Sequence, residues 1–455
     1  MRRLWPYLIL VLVTSLVYLN SFPGAFHFDD FPLLLESPRI NTSDFSYGSF
    51  LDQYGGRPLT LWTFYWNYRF FEDEPFSYHF VSVALHALVV AEIFLLIFQL
   101  FGQRLLAFGC ALLFAVHPLQ TQTVNYIWSR SVLLMAVLGL ASLLLARRHP
   151  WAGLLCLQLA IWGRSEAIVL FIPLIFLSRA HWKGPVILAL ANTAALVYSL
   201  LKYTPREIGW SHPDPFGYWL LQPVAFWKYF SLMVWPIGLN LDYDLISPSR
   251  WVWALAIFSF LGLCILAFRF RQRYPIPALG FLWMVAMLAP SLLVPNSDIL
   301  NESRAYLALA GFTLIAAWVF CKYLGGMPMS LKLAVAAPLL LFLAPLTVAR
   351  NQIWTDDLAL WQDTVLKSPG KARAHYNLGV ALAREGKNKQ AKVEFETARD
   401  LDPQDDLSYA ALGYCAEVRR ELGVARFLYR KALRLNPENI YARQGLERVE
   451  NRIEG

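Results

Sequence analysis

A chain of 455 residues that is 57% hydrophobic and only 16% charged is too apolar for an ordinary soluble enzyme. Its formal charge of +8 sits largely in short clusters between apolar runs and in a separate C-terminal region. That is the pattern of membrane loops and gives no nucleic-acid signal. The five cysteines form neither a Cys-x-x-Cys nor a Cys/His cluster, so the sequence indicates neither a zinc site nor a disulfide framework.

Met1-Arg2-Arg3 opens an apolar run from Leu4 to Tyr18 with no clear small-x-small cleavage site after it. It reads as an uncleaved signal-anchor whose arginines are cytoplasmic. The first outer loop, about residues 23–77, then carries Phe26-His27-Phe28-Asp29-Asp30. Two adjacent carboxylates flanked by aromatics at a membrane face point in different directions. They suit one working carboxylate with one positioning neighbour. Such a carboxylate can take a proton from a nucleophile, and the pair is also the candidate ligand set for a divalent cation, Mg or Mn. The flanking Phe28 and Phe31 should anchor the turn, leaving Asp30 the more exposed and Asp29 nearer the cavity. The bland alternative is a solvated turn beside the membrane.

Further spans are expected at Tyr78 to Phe101, Leu105 to Val116 and Ser131 to Ala146, the last ending at Arg147-Arg148. Two runs too short for a full crossing, Trp151 to Trp162 and Ala167 to Leu177, flank Gly163-Arg164-Ser165-Glu166 and suit a water-filled, protein-lined cavity. Gly184 to Leu201 crosses again, and the aromatic run Phe216 to Trp235, interrupted by Pro223, reads as interfacial or re-entrant. Trp251 to Phe268, Ile276 to Val294, Ala305 to Phe320 and Leu331 to Val348 complete about eleven spans by length and the positive-inside rule. Asp29-Asp30, His117 to Arg130 and Asn301 to Arg304 then share the outer, non-cytoplasmic face. Charges at the mouths of membrane helices are costly unless hydrated or paired. Arg57, Arg130 and Arg304 are therefore candidates to hold a lipid-linked phosphate, whose oxygens a guanidinium engages two at a time. The bland reading of each is a local pair or a headgroup contact. His79 and His86 are expected to pack between helices rather than to bind metal.

After Arg350 the chain changes character. Ala372 to Asp405 and Asp406 to Asn439 align as a repeat of 34 residues, with Leu378-Gly379 matching Leu412-Gly413, Ala391 matching Ala425, Phe395 matching Tyr429, and Pro403 matching Pro437. This is the tetratricopeptide signature, in which small residues let paired helices approach and aromatics fill the gap. Leu358 to Lys367 is expected to be a preceding helix and Ile440 to Arg452 a closing one. The fold class is thus mainly α, in two domains. A polytopic transmembrane domain covers residues 1–350 and an α-solenoid of tetratricopeptide repeats covers 351–455, the latter offering a surface for a peptide or protein partner.

Phe28-Asp29-Asp30, Arg57-Pro58-Leu59-Thr60, His117-Pro118 through Arg130, and Glu302 to Tyr306 occur in the order that resembles the transmembrane-and-tetratricopeptide-repeat family of protein O-mannosyltransferases. The resemblance implies a GT-C glycosyltransferase fold that uses a polyprenyl-phosphate sugar, mannose among the candidates, with a hydroxyl acceptor such as protein Ser or Thr. It implies Asp29 or Asp30 as the catalytic acid/base residue. It also implies Arg57, His117, Arg130, Glu166, Glu302 and Arg304 as cavity and donor-phosphate residues. The short repeat array leans towards a bacterial inner membrane with periplasmic repeats. Two other classes compete: a non-enzymatic scaffold that recruits envelope partners through its repeats, and a transporter for lipid-linked sugars. With the amino terminus cytoplasmic and the repeats outside, a cysteine engineered into the tail should react with an impermeant reagent in intact inner membranes. Labelling only after permeabilisation would reverse the topology.

Overall fold

The computed structural model describes residues 4–35, 40, 57–146, 148–171, 173, 215–244, 249–295 and 298–454. The expected span Gly184 to Leu201, and residues 36–39 and 41–56 of the first loop, lie outside them. The described structure is helical, and the chain divides into two compact units. One comprises Met1–Leu239 and Ser247–Thr355; the other comprises Asn240–Ile246 and Asp356–Gly455.

In the first unit, five helices among the described residues are long and apolar enough to cross a membrane: Pro75–Phe101, Ile127–Leu145, Arg250–Phe270, Pro275–Leu293 and Met329–Ile353. Arg104–Val116 and Pro118–Asn125 make a sixth if taken as one span bent by 58°. Trp5–Val17, Pro150–Gly163 and Ala308–Leu324 are apolar but shorter. Among the described residues five or six helices thus qualify where the sequence leads to an expectation of about eleven spans, one of which lies outside those residues. Several apolar runs counted as crossings form helices of 13–17 residues, below the roughly 20 residues of a full crossing. The chain is an integral, multi-pass membrane protein.

Burial separates the spans by role. In the most apolar window of Ile127–Leu145, 61% of residues are buried in protein, whereas in Arg250–Phe270 only 6% are. The first is a central helix. The second turns Trp251, Leu255 and Phe258 outward, as a lipid-facing surface requires. The bend at His117 follows from its neighbour, because Pro118 lacks an N–H and keeps the preceding residue extended. His117 has ψ 126°, and its Nδ1 accepts the Leu119 N–H at 3.2 Å, capping the next turn. Helices Pro275–Leu293 and Ala308–Leu324 cross through Gly280 and Gly311. A Cβ on Gly280 would lie 2.6 Å from the Gly311 carbonyl oxygen, so only glycine permits this approach. Pro223 does not interrupt its run: Pro215–Val234 is one helix that carries the proline inside.

The second unit contains the helix Asp357–Lys367, two helical hairpins (Ala372–Arg384 with Asn388–Leu401, and Asp406–Val418 with Leu422–Leu435), and a closing helix Ile440–Glu454. The glycine–aromatic pairing read from the repeat is the packing device. A Cβ on Gly379 would meet the Phe395 ring at 2.5 Å, and one on Gly413 would meet Tyr429 at 2.7 Å. The closing helix is held by Glu417, which accepts the Tyr429 hydroxyl at 2.9 Å, two Arg448 bonds at 3.0 and 3.1 Å, and Arg452 at 3.2 Å. Burial opposes ionisation of Glu417, but the Arg448 and Tyr429 hydrogen bonds outweigh it and hold the carboxyl below its ordinary value. Its contribution is therefore present at neutral pH and is lost as pH falls through that lowered value. Segment 240–244 also belongs to this unit. Asn240 Nδ2 and the Asp244 N–H both donate to Ser368 Oγ, at 2.8 and 3.1 Å, and Asp242 pairs with Arg373 at 2.8 Å.

Replacing Gly379 by valine should destabilise the repeat unit by about 1–3 kcal/mol through overpacking against Phe395. The loss should show as earlier proteolysis within residues 357–454 on heating. Cleavage at the wild-type temperature would refute this packing.

Candidate active site

The aspartate turn is built from a buried ring of contacts. Phe26 enters an apolar cluster with Leu61, Phe64, Tyr78 and Ile127. His27 is fully buried, and its Nε2 lies 2.6 Å from the main-chain oxygen of Trp354. Phe28 follows with φ +45°. Such backbone strain in a bulky residue persists only where its surroundings hold it, and it concentrates at functional sites.

The two aspartates then divide sharply. Asp30 is fully buried, with Oδ2 accepting the His27 N–H and Oδ1 the Trp128 N–H, each at 2.9 Å. It is a staple between the turn and the start of the Ile127–Leu145 span. Burial pushes its carboxyl up to about 7, against the downward pull of the His27 and Trp128 contacts. Asp29 is only partly buried, and its N–H donates to the Tyr126 hydroxyl at 3.2 Å. The expected exposures are thus reversed. Asp30 satisfies two backbone donors that would otherwise be orphaned, and this draws it inward. Each of its oxygens thus already accepts one backbone N–H. Among the described residues no group of three or more His, Cys, Asp or Glu is placed to hold a metal.

A small cleft with a cavity volume of about 30 Å³, partly open to solvent, lies in the same unit. Its polar wall is Arg164, Glu166, Ser303 and Arg304, and its apolar wall includes Met135, Met287 and Leu307. Arg164 donates from Nε to Glu166 Oε1 at 2.9 Å, with Nη2 2.8 Å from the same oxygen, and Nη1 reaches Ser131 Oγ at 3.3 Å. Burial opposes ionisation of Glu166, but Arg164 and then Arg57 outweigh it, so the carboxyl lies below its ordinary value and is anionic at neutral pH. Arg304 Nη1 donates to the Asp298 oxygen at 2.7 Å. Asn301 caps the turn beneath Arg304, its side-chain oxygen accepting the Ser303 N–H at 3.1 Å and hydroxyl at 2.7 Å. Helix Pro58–Phe71 serves both regions: Thr60 Oγ donates to the Gly163 oxygen at 2.9 Å, while Leu61 and Phe64 pack under the aspartate turn.

Of the expected site residues, Glu166 and Arg304 line this cleft, and Arg57 acts on Glu166 by its charge. Arg130 does not line it. Its fully buried guanidinium sits 4.3 Å from the Phe64 ring centroid and 5.4 Å from that of Tyr78, and it donates to Asn67 Oδ1 at 2.9 Å. The two rings and Asn67 enclose the guanidinium, whose Nε and Nη1 have no hydrogen-bond partner among the described residues. His117 is also buried, with Nε2 3.0 Å from the Met233 oxygen, and serves the helix bend. Glu302 is fully buried outside the cleft lining. Arg164 and Tyr126 were not singled out from sequence. Arg164 had a signal, as the cation beside Glu166 between two short apolar runs; Tyr126 had none beyond its place in a polar stretch.

These features define an integral, multi-pass membrane protein that joins a cationic, apolar-walled cleft to a tetratricopeptide unit, residues 372–405 of which match the tetratricopeptide repeat family. Within that class the chain is similar in sequence to several protein O-mannosyl-transferases. It is similar to a protein O-mannosyl-transferase of Caenorhabditis elegans (26% identity, 87% of this chain and 62% of that one). It is also similar to protein O-mannosyl-transferase TMTC3 of Mus musculus (23% identity, 97% of this chain and 56% of that one). A third relative is TMTC1 of Homo sapiens (24% identity, 88% and 55%). The chain thus spans 55–62% of the length of these relatives.

Asp29→Asn and Asp30→Asn should fail in different ways. The Asp30→Asn change would turn an NH2 group towards a backbone N–H, costing about 1–3 kcal/mol, seen as a lower melting temperature in detergent. The Asp29→Asn variant should melt like the wild type. Equal melting temperatures for both variants would remove the staple role of Asp30.

Proposed function

We propose that the chain is a GT-C type glycosyltransferase that moves mannose from a polyprenyl-phosphate donor to a hydroxyl, on protein Ser or Thr, at the non-cytoplasmic face of the membrane. The observation that carries this reading is the cleft, where guanidinium groups of Arg164 and Arg304 face a wall of Met135, Met287 and Leu307. A lipid phosphate is the ligand with both properties, an anionic head on a hydrocarbon tail. Arg57 also acts on Glu166 by its charge, beside Arg164. Homology to O-mannosyl-transferases over most of this chain supports the same reaction class.

The chemistry follows from the half-open carboxylate. Asp29 takes the proton of the acceptor hydroxyl, and the oxygen attacks the anomeric carbon of the sugar. The bond from that carbon to the phosphate oxygen breaks, and its electron pair leaves with the polyprenyl phosphate. Arg304 stabilises the charge that gathers on the leaving phosphate, where a fixed cation in a water-poor cleft is most effective. A single displacement inverts the anomeric centre. Asp30 holds the turn that presents Asp29. The repeats offer a binding surface for a polypeptide, the acceptor or its carrier, and a periplasmic position of that surface in a bacterial inner membrane fits this assignment.

Purified protein incubated with labelled polyprenyl-phosphate mannose and a Ser/Thr peptide should release lipid phosphate and label the peptide. Asp29→Asn should lower turnover by roughly the 100- to 10,000-fold typical of general-base loss while donor affinity persists. Arg304→Lys should weaken donor affinity about tenfold despite the retained charge, because lysine lacks the planar fork for two phosphate oxygens. Unchanged donor affinity in Arg304→Lys would return Arg304 to a structural role. Full turnover in Asp29→Asn would remove the transferase reading itself.

A further inference from the structure

We infer that Tyr126, clamped in place by Trp354, is the positioning residue that aims the Asp29 carboxylate at the acceptor. The role rests on the transferase reading above and adds to it a residue that acts through Asp29 rather than on substrate. Four side chains from three distant parts of the chain close the ring of contacts. The Tyr126 hydroxyl accepts the Asp29 N–H at 3.2 Å and is also hydrogen-bonded to the Asp29 side chain. A phenol has one proton, so having accepted from the backbone it donates that proton to the carboxylate.

The Tyr126 ring stacks on Trp354 with centroids 6.0 Å apart and planes at 29°. Its main chain is fixed at both ends, by N–H to the Gln122 oxygen at 3.0 Å and oxygen to the Ser129 N–H at 2.9 Å. Trp354 is 1% exposed and sets its ring against the edge of His27, 5.5 Å away at 81°, while its carbonyl oxygen bonds the His27 ring. His27 and Asp29 flank Phe28, whose left-handed backbone needs restraint on both sides. Trp354 thus restrains the turn twice, directly through His27 and through Tyr126 to Asp29.

A donor on the carboxylate favours its ionised form and restricts which lone pair remains for the acceptor proton. The titratable or charged groups packed about the turn include Asp30, His27, Tyr126, His79 against Gly24 and Ala25, and Tyr78 against Phe26, with Arg130 acting on Asp30 through space.

Tyr126→Phe keeps the ring and its stack on Trp354 and removes only the hydroxyl. Assayed with labelled polyprenyl-phosphate mannose across pH, it should lower kcat about 10- to 100-fold, the scale of a misaimed catalytic group. The donor KM should stay within about twofold of the wild type. The acidic limb of the rate profile should move to higher pH. A fluorinated tyrosine at position 126, the same size but a stronger proton donor, should move that limb to lower pH, which a packing role would not do. Wild-type kcat and an unmoved limb in Tyr126→Phe, with Asp29→Asn inactive, would overturn the positioning role and leave the transferase reading standing. If Tyr126→Phe does not fold, an unmoved limb in the fluorinated protein overturns the role instead. Full activity in Asp29→Asn would overturn both.

Discussion

The bond between the His27 ring and the carbonyl oxygen of Trp354 is the interaction on which the proposed site depends. It joins the aspartate turn to the end of the Met329–Ile353 span, 327 residues later. With both rings buried, no water competes for that carbonyl, and a hydrogen bond in such surroundings is electrostatically stronger than in water. Because His27 is held, Phe28 can occupy a left-handed backbone. Because Phe28 does, the next two side chains diverge: Asp30 turns inward to two backbone donors and Asp29 stays at the boundary beside Tyr126. Work is thereby divided between neighbouring aspartates by one backbone angle and the contacts that enforce it.

The membrane supplies the second constraint. A charge in the apolar interior is tolerated only if its donors and its field are answered locally. Arg130 meets this condition only in part: two aromatic faces, Asn67 and the Tyr78 main-chain oxygen answer its charge and Nη2, while Nε and Nη1 have no hydrogen-bond partner among the described residues. Arg164 and Arg304 meet it differently, by sitting at a cleft partly open to solvent and, in the case of Arg164, by pairing with Glu166. The same residue type thus serves as packing in one place and as a candidate phosphate site in another. Enclosure makes the difference.

This explains why some of the architecture was legible in the sequence and some was not. The repeats were legible because their packing is local and periodic: Gly379 and Phe395, or Gly413 and Tyr429, recur at fixed spacing and touch within one hairpin. Glu166 and Arg304 were legible as charges interrupting apolar runs, which membranes penalise. The burial of Asp30 was not, since its partners at His27 and Trp128 include a backbone group 98 residues away. Arg130 and His117 looked equivalent to the other outer-face polar residues, and only the surrounding rings and the bend at Pro118 distinguish them. Span number is less legible, because apolar composition does not separate a crossing helix from a shorter apolar one such as Pro150–Gly163.

The distance along the chain between His27 and Trp354 also bears on biogenesis. The acidic turn leaves the ribosome early, whereas the carbonyl that holds it is among the last groups of the membrane unit to be made. Until then His27 lacks this partner and Asp30 alone ties the turn to Trp128. The bond closes a loop of more than three hundred residues, which costs entropy that only the already inserted bundle can offset. The turn therefore gains its full restraint late, after the intervening helices are in the bilayer. On the proposed reading, a nascent chain that has not finished membrane insertion would carry its aspartates without their aim. In that sense the Met329–Ile353 helix would act as a completion check on the proposed site.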